Sequence, residues 1–248
     1  MHRFYLPPEH CAGDKLRLDS REAHHALNVL RLKHGELVTV LDGIGNQFLC
    51  TVEGSSRQAV TLAVSLKNFA PPLPCSISLF VAVPKGKIIE GIIQKAVELG
   101  ARRIVPLLTG RVVTQLDGEG AEQKREKWQG VAIEAVKQCG AAWLPKVEAP
   151  VTLAQFLARG EKIELSLVGS LQKERRHPRD CIREFQSKHN RLPQSAGVWI
   201  GPEGDLTVEE LNMIQASGAL PVSLGRLVLR VETAAIYCLS ILNYELQA

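Results

Sequence analysis

The feature that most constrains this chain is a change of pattern across the segment Phe69-Ala-Pro-Pro-Leu-Pro74. Beyond it, short apolar runs alternate with helical periodicity. Residues 77–83 (ISLFVAV) have the composition of a buried strand, and the next segment spaces Ile88, Ile92, Ala96 and Ile89, Ile93, Val97 four apart, as one helix face requires. Gly100 ends that helix and residues 103–108 return as a strand. A second helix over about 122–139 places Trp128, Ala132, Ala135 and Cys139 on one stripe and stops at Gly140. Further strands fit 163–168, 198–200 and 221–224, and 232–246 forms a last helix. This rhythm predicts an α/β domain with a mostly parallel sheet covered on both faces. Ahead of the break, alternating strands fit 15–18, 36–41, 47–52 and 59–64, with turns at Asp42-Gly43 and at 53–56. One helix, 20–32, interrupts them, with Ser20 as N-cap and Gly35 just past its end. That half predicts a small β-barrel or sheet domain, so the chain divides into 1–72 and 73–248.

Composition narrows the classes. The chain has 248 residues, enough to bury a sizeable core, and is 45% hydrophobic and 23% charged. Its longest apolar runs are far too short for a membrane span, and its first residues lack the apolar core of a signal peptide, so the expectation is a cytoplasmic protein with no membrane partner. Six scattered cysteines with no Cys-x-x-Cys argue against a zinc site or a disulfide framework and for reduced thiols in or near cores. The only histidine pair, His24-His25, points its rings in different directions on a helix, and no metal is expected. A net charge of +4 permits a polyanionic partner, although residues 1–72 carry eight basic and seven acidic side chains. The basic run at 173–179 (KERRHPR) reads as a solvated loop rather than a phosphate contact.

Two stretches carry the candidate chemistry. In 198–211 (VWIGPEGDLTVEEL), Thr207 can N-cap a helix with Glu210 completing a capping box. Glu203 and Asp205 are therefore not needed for capping and are available to accept hydrogen bonds from a ligand or a partner loop, while Pro202 stiffens the turn. Gly169, Gly201 and Gly225 each follow a strand, where open parallel sheets collect their ligands; each alone makes a tight turn, and the three together fit turns or one crevice equally well. In 224–234 (LGRLVLRVETA), Arg226 and Arg230 bracket an apolar triplet that runs into a helix. It is either a connection with two solvated arginines or a loop that encloses a ligand while one arginine faces a negative substrate. No Gly-x-Gly-x-x-Gly opens the α/β domain, and neither a Walker sequence nor a Gly-x-Ser-x-Gly elbow is present. An ordinary dinucleotide enzyme, a P-loop ATPase and an α/β-hydrolase are all disfavoured.

The motif Ile200-Gly-Pro-Glu-Gly204 followed by Leu224-Gly225 and Leu229-Arg-x-Glu-Thr-Ala234 resembles the RsmE family, the 16S ribosomal RNA uridine N3 methyltransferases of the SPOUT superfamily. Matches at His2-Arg-Phe4, His25, Val29-Leu-Arg31, Gly35, Asp42-Gly-x-Gly45, Lys95-x-x-Glu-Leu-Gly100, Arg111, Trp128 and Gln138 extend the resemblance over nearly the whole chain. It implies a PUA-like β-barrel domain that binds RNA, then a SPOUT-type α/β domain whose carboxyl end is tied in a deep trefoil knot. It implies a homodimer that binds S-adenosyl-L-methionine and acts on 16S rRNA or the small ribosomal subunit. Gly169, Ile200, Gly201, Pro202, Glu203, Gly204, Leu224, Gly225, Leu229, Arg230 and Thr233 would hold the cofactor; Arg230 and Glu232 would be catalytic; Arg3, Arg31 and Arg111 would contact RNA. Three positions depart from the family pattern: Asp205 stands where glycine usually repeats, Val231 where threonine is usual, and Ala141 near an expected arginine. These departures keep two alternatives open, a SPOUT methyltransferase acting on another RNA and a catalytically weak RNA-binding or assembly protein.

Overall fold

The computed structural model describes residues 1–56, 58–111, 118–172 and 174–247. Two compact units emerge, one of residues 1–72 with 133–144 and one of residues 73–132 with 145–248.

The first unit is built on a five-stranded sheet of β1 (His2–Tyr5), β2 (Lys15–Asp19), β3 (Leu37–Leu41), β4 (Asn46–Ser55) and β5 (Ala59–Phe69), in the order β1-β3-β4-β5-β2. β1 pairs with β3 in parallel and the other pairings are antiparallel. Alternation along β2 buries Leu16 and Leu18, and these join Phe4, Val38, Val40, Cys50, Val60 and Leu62 in one core. The turn expected at 53–56 is shorter than the sequence suggests, because β4 continues to Ser55 and absorbs a register shift between Val52 and Gly54. The helix expected over 20–32 is α1 (Ser20–His24) followed by a π-helical turn at His25–Val29. Its N-cap is Asp19 rather than Ser20, with no side-chain capping bond. Arg3 donates to the carbonyls of Lys137 at 3.5 Å and Gln138 at 3.0 Å, and so serves the end of the helix that closes at Cys139.

The second unit is a parallel sheet. Its strands are β6 (Ser76–Ala82), β7 (Ala101–Leu108), β8 (Lys146–Val147), β9 (Val151–Thr152), β10 (Leu165–Gly169), β11 (Ser195–Ile200) and β12 (Leu220–Val222). The order is β12-β10-β11-β6-β7-β8, with β9 also on β7 and every pairing parallel. The helices are α2 (Ile88–Glu98), α3 (Gly118–Cys139, whose residues from 133 on belong to the first unit), α4 (Leu153–Leu157), α5 (Pro178–His189), α6 (Val208–Ala216) and α7 (Val231–Leu246). On one face Phe80, Val168 and Trp199 pack with Leu153 and Phe156 of α4 and Leu211 and Ile214 of α6. Phe80 and Trp199 stack at 4.1 Å between centroids, and the buried Trp199 indole donates to Ser166 Oγ at 2.8 Å, which leaves no polar atom unsatisfied there. Successive side chains of a strand point to opposite faces, so Leu79, Val81 and Val198 face the other side, where α7 lies on β6 and β11 and α2 packs on β7 and α7. α2 buries Ile89, Ile92, Ile93, Ala96 and Val97, each large side chain contributing about 1.5–3 kcal/mol, and leaves Ile88 exposed. On α3 Trp128, Ala132, Ala135 and Val136 are buried, whereas Cys139, the last residue of the helix, is exposed. α4 and α5 have no counterpart in the periodicity reading. α4 has only five residues, and α5 is mostly polar with Pro178, Cys181 and Ile182 as its buried residues.

Candidate functional site

The carboxyl ends of three adjacent strands, β12, β10 and β11, open into one cavity of about 240 Å³. β10 delivers Gly169, Ser170 and Leu171; β11 delivers Ile200, Gly201, Pro202, Glu203 and Asp205; the segment after β12 delivers Leu224, Gly225 and 227–230, and Val231 and Ala234 of α7 complete the wall. The crevice alternative for the three strand-end glycines is thus the arrangement found. A Cβ on Gly169 would lie 3.4 Å from Leu224 Cδ1 and 3.5 Å from Ile200 Cδ1, so a larger side chain would fill the space between those two walls. Gly225 has φ +115, a conformation in which a side chain would strain the backbone.

Local sequence explains how the walls are held. Thr207 Oγ1 accepts the Glu210 N–H at 3.2 Å and Glu210 Oε2 accepts the Thr207 N–H at 2.9 Å, so α6 is capped without help from Glu203 or Asp205. Glu203 Oε1 accepts the backbone N–H of Lys85 at 3.2 Å and braces the loop after β6 against the Gly-Pro-Glu-Gly turn. Glu210 Oε1 accepts the Gly110 N–H at 2.7 Å, tying the end of β7 to the same region. Arg111 lies over the turn, donating to the carbonyls of Gly204 and Asp205, and its Cδ would be 3.2 Å from a Cβ on Gly204. Gly204 is therefore bare for Arg111 and does not line the cavity. α7 starts at Val231 with Arg230 as an N-cap that makes no side-chain capping bond. Its first-turn amides thus keep their capacity for an acceptor next to the cavity.

Of the expected cofactor residues, Gly169, Ile200, Gly201, Pro202, Glu203, Leu224, Gly225, Leu229 and Arg230 come together in the lining. Glu232 and Thr233 lie on the first turn of α7 beside it, outside the lining. Arg31 is exposed at φ 54, directly after the π-helical turn in the first unit, and Arg3 is engaged at the end of α3. Sequence reasoning missed Ser170, Leu171, Arg175, Leu227, Val228 and Ala234. The one signal available for them was the basic run at 173–179, of which Lys173 lies outside the described residues. The cavity carries two arginines, Arg175 and Arg230, and two carboxylates, Glu203 and Asp205, in otherwise apolar walls. Such a site suits a ligand with an apolar body and charges of both signs.

A family model described as an RNA methyltransferase domain matches residues 71–243, and one described as an RNA methyltransferase PUA domain matches residues 18–65. The ribosomal RNA small subunit methyltransferase E of Bacillus subtilis is 30% identical over 231 residues, 92% of this chain and 89% of that protein. The chain belongs to the ribosomal RNA small subunit methyltransferase E family. Two solved structures are similar to this family member over almost their full lengths. A Legionella pneumophila protein in complex with the bound cofactor SAM has a TM-score of 0.86 and 33% identity, covering 98% of this chain and 96% of its own. The family's Neisseria gonorrhoeae enzyme, bound to S-adenosyl methionine, has a TM-score of 0.85 and 25% identity, covering 98% and 97%. Asp205, at the position where the resemblance leads one to expect glycine, sits at φ 62. Aspartate tolerates that left-handed conformation better than most side chains, and its Oδ1 accepts the Leu206 N–H at 2.8 Å. Among the described residues no group of His, Cys, Asp and Glu could hold a metal ion, and no helix is long and apolar enough to cross a membrane.

Proposed function

We propose that this chain is an S-adenosylmethionine-dependent methyltransferase that methylates N3 of a specific uridine in 16S ribosomal RNA. The observation that carries the proposal is the convergence of Gly169, the Gly201–Gly204 turn and the 224–231 segment on one cavity, in a chain whose similar structures were solved with that cofactor. The residues fit the group: the cavity of about 240 Å³ offers apolar walls, among them Ile200, Leu224 and Leu229, to an apolar body, and Glu203 and Asp205 offer acceptors to a cationic one. Gly169, Ile200, Gly201, Pro202, Leu224, Gly225 and Leu229 would hold it, with Glu203 bracing the turn, and Gly204 and Thr233 supporting from behind. When bound, S-adenosylmethionine supplies an electrophilic methyl group on a sulfonium.

The protein's own part is recognition, positioning and charge. Uracil N3 carries a proton at neutral pH and lies on the pairing edge, so the base must be unpaired and splayed into the site. Transfer of that proton to water leaves an anion, and the proposed group that stabilises it is the Arg230 guanidinium, which lines the cavity and has no carboxylate partner among the described residues. Glu232, one residue past the start of α7, acts beside it. Arg31, Arg111 and Arg3 are the proposed RNA contacts, with residues 1–72 as a PUA-like RNA-binding domain and 73–248 as the SPOUT domain. A deep trefoil knot is supported by the return of α7 onto the central strands β6 and β11 after the edge strand β12. A homodimer is supported by Leu227 and Val228, which are 79% and 76% exposed, an apolar surface of the kind a second copy covers, and a cytoplasmic location by the likeness to a bacterial ribosomal RNA methyltransferase.

Calorimetry with S-adenosylmethionine and S-adenosylhomocysteine, with NADH as control, followed by mapping of methylated nucleotides in 16S rRNA, tests this. Binding of both, no NADH binding and a methyl on uridine N3 are expected. Arg230→Ala should keep S-adenosylhomocysteine binding and lose turnover on the order of 10²-fold or more. A folded protein that binds neither ligand would sink the proposal.

A further inference from the structure

Resting on that proposed function, we propose that Arg175 recognises RNA: its guanidinium takes a backbone phosphate beside the target nucleotide at the mouth of the cofactor cavity. The basic run that contains it looks like a solvated loop in the sequence, but the fold fastens it. Ser170 N–H donates to the Val222 carbonyl at 3.1 Å, Arg176 N–H to Pro221 at 3.0 Å, and Ser223 N–H to Arg176 at 2.9 Å. Ser170 and Arg176 are therefore both tied to β12 or the residue after it, and His177 Nδ1 caps α5 by accepting the Arg179 N–H at 3.2 Å. Between these anchors Arg175 joins the cavity wall.

The three arginines of the run differ in what they face. Arg176 pairs with Glu184 at 2.5 Å and Arg179 with Glu245 at 3.3 Å. Arg175 donates to a neutral carbonyl, that of Ser170, at 3.1 Å, and among the described residues no carboxylate stands within ion-pair distance of it. Residues 170–172 and 174–177, held by five polar contacts, present one guanidinium without an ion-pair partner to the cavity, which preorganises it for an oxyanion with two oxygens able to accept parallel N–H bonds. Two anionic groups have that chemistry in the proposed reaction, an RNA phosphate and the cofactor's carboxylate. Arg175 is exposed, which favours an anion that reaches it from solvent over one held inside the cavity.

The test measures two affinities on Arg175→Ala, Arg175→Lys, Arg176→Ala and Arg179→Ala: S-adenosylhomocysteine by calorimetry, and 16S rRNA by filter binding across a salt series. For Arg175→Ala the expected result is RNA binding weakened about tenfold, with the slope of log affinity against log salt reduced by about 0.7–0.9 and cofactor affinity unchanged. Arg175→Lys should restore the slope but only part of the affinity, and Arg176→Ala and Arg179→Ala, already neutralised by carboxylates, should do less. Weakened S-adenosylhomocysteine binding with RNA binding intact would assign Arg175 to the carboxylate and overturn the proposal. So would no change in either affinity, or equal losses from all three alanine variants. Failure of the wild type to bind S-adenosylhomocysteine or RNA would instead refute the proposed function, before any variant is compared.

Discussion

Asp205 shows what a single residue settles at this site. Its φ of 62 costs an L-residue backbone energy, and its Oδ1 bond to the Leu206 N–H returns part of it. Asp205→Gly removes both terms, so unfolding free energy should change by less than about 1 kcal/mol in a urea titration, while one negative charge leaves the cavity wall. A loss above about 2 kcal/mol would mean that the side-chain bond, not the backbone, dominates there. The sequence alone showed that Glu203 and Asp205 were spare, because Thr207 and Glu210 form a complete capping motif within four residues. It showed nothing about the bareness of Gly204, which answers to Arg111, a residue 93 positions away.

Among the elements, α6 is the most informative. Glu210 is buried, with 8% exposure, and serves two partners: its own helix through the Thr207 N–H and the end of β7 through the Gly110 N–H. Thr207→Ala removes a cap and should cost about 1 kcal/mol. Glu210→Ala leaves two backbone donors without their carboxylate and should cost about 2–3 kcal/mol, with the loops around the cavity loosened. Equal costs in parallel urea titrations would show that the Gly110 bond contributes nothing. Strands and long amphipathic helices were legible because their periodicity is strong, as in α2. α5 was not legible, since a polar helix with three buried residues carries little periodic signal, and the π-helical turn at His25–Val29 breaks the helix that periodicity extended to residue 32.

Across the whole molecule, five of the six cysteines are buried, in both units, and burial raises their thiols. Cys11 and Cys238 are pushed up to about 12, and Cys50 and Cys75 to about 11, from an ordinary value of 9.0. A group whose folded value is raised contributes stability that is fully present below its unfolded value and is lost as pH rises through the folded one. Stability measured by urea unfolding should therefore fall steadily from pH 9 towards pH 12. Cys139, the exposed thiol, should alone react with a thiol reagent at neutral pH in the native protein; uptake of several equivalents without unfolding would contradict this burial.

The features legible in the bare chain are local: the break near residue 72, the strand–helix alternation, the capping box and the motif that marks the family. Each depends on neighbours within a few turns of chain, so a linear reading can find it. Which loops meet is set by folding. β12 pairs with β10 although 50 residues separate their ends in the chain, and that pairing carries Arg175 from a surface run to the wall of the cavity. Which arginines are neutralised also depends on folding, because Glu245 reaches Arg179 from α7, 66 residues on, and α5 brings Glu184 to Arg176. Charge in a sequence is a count, and only folding assigns each charge its partner.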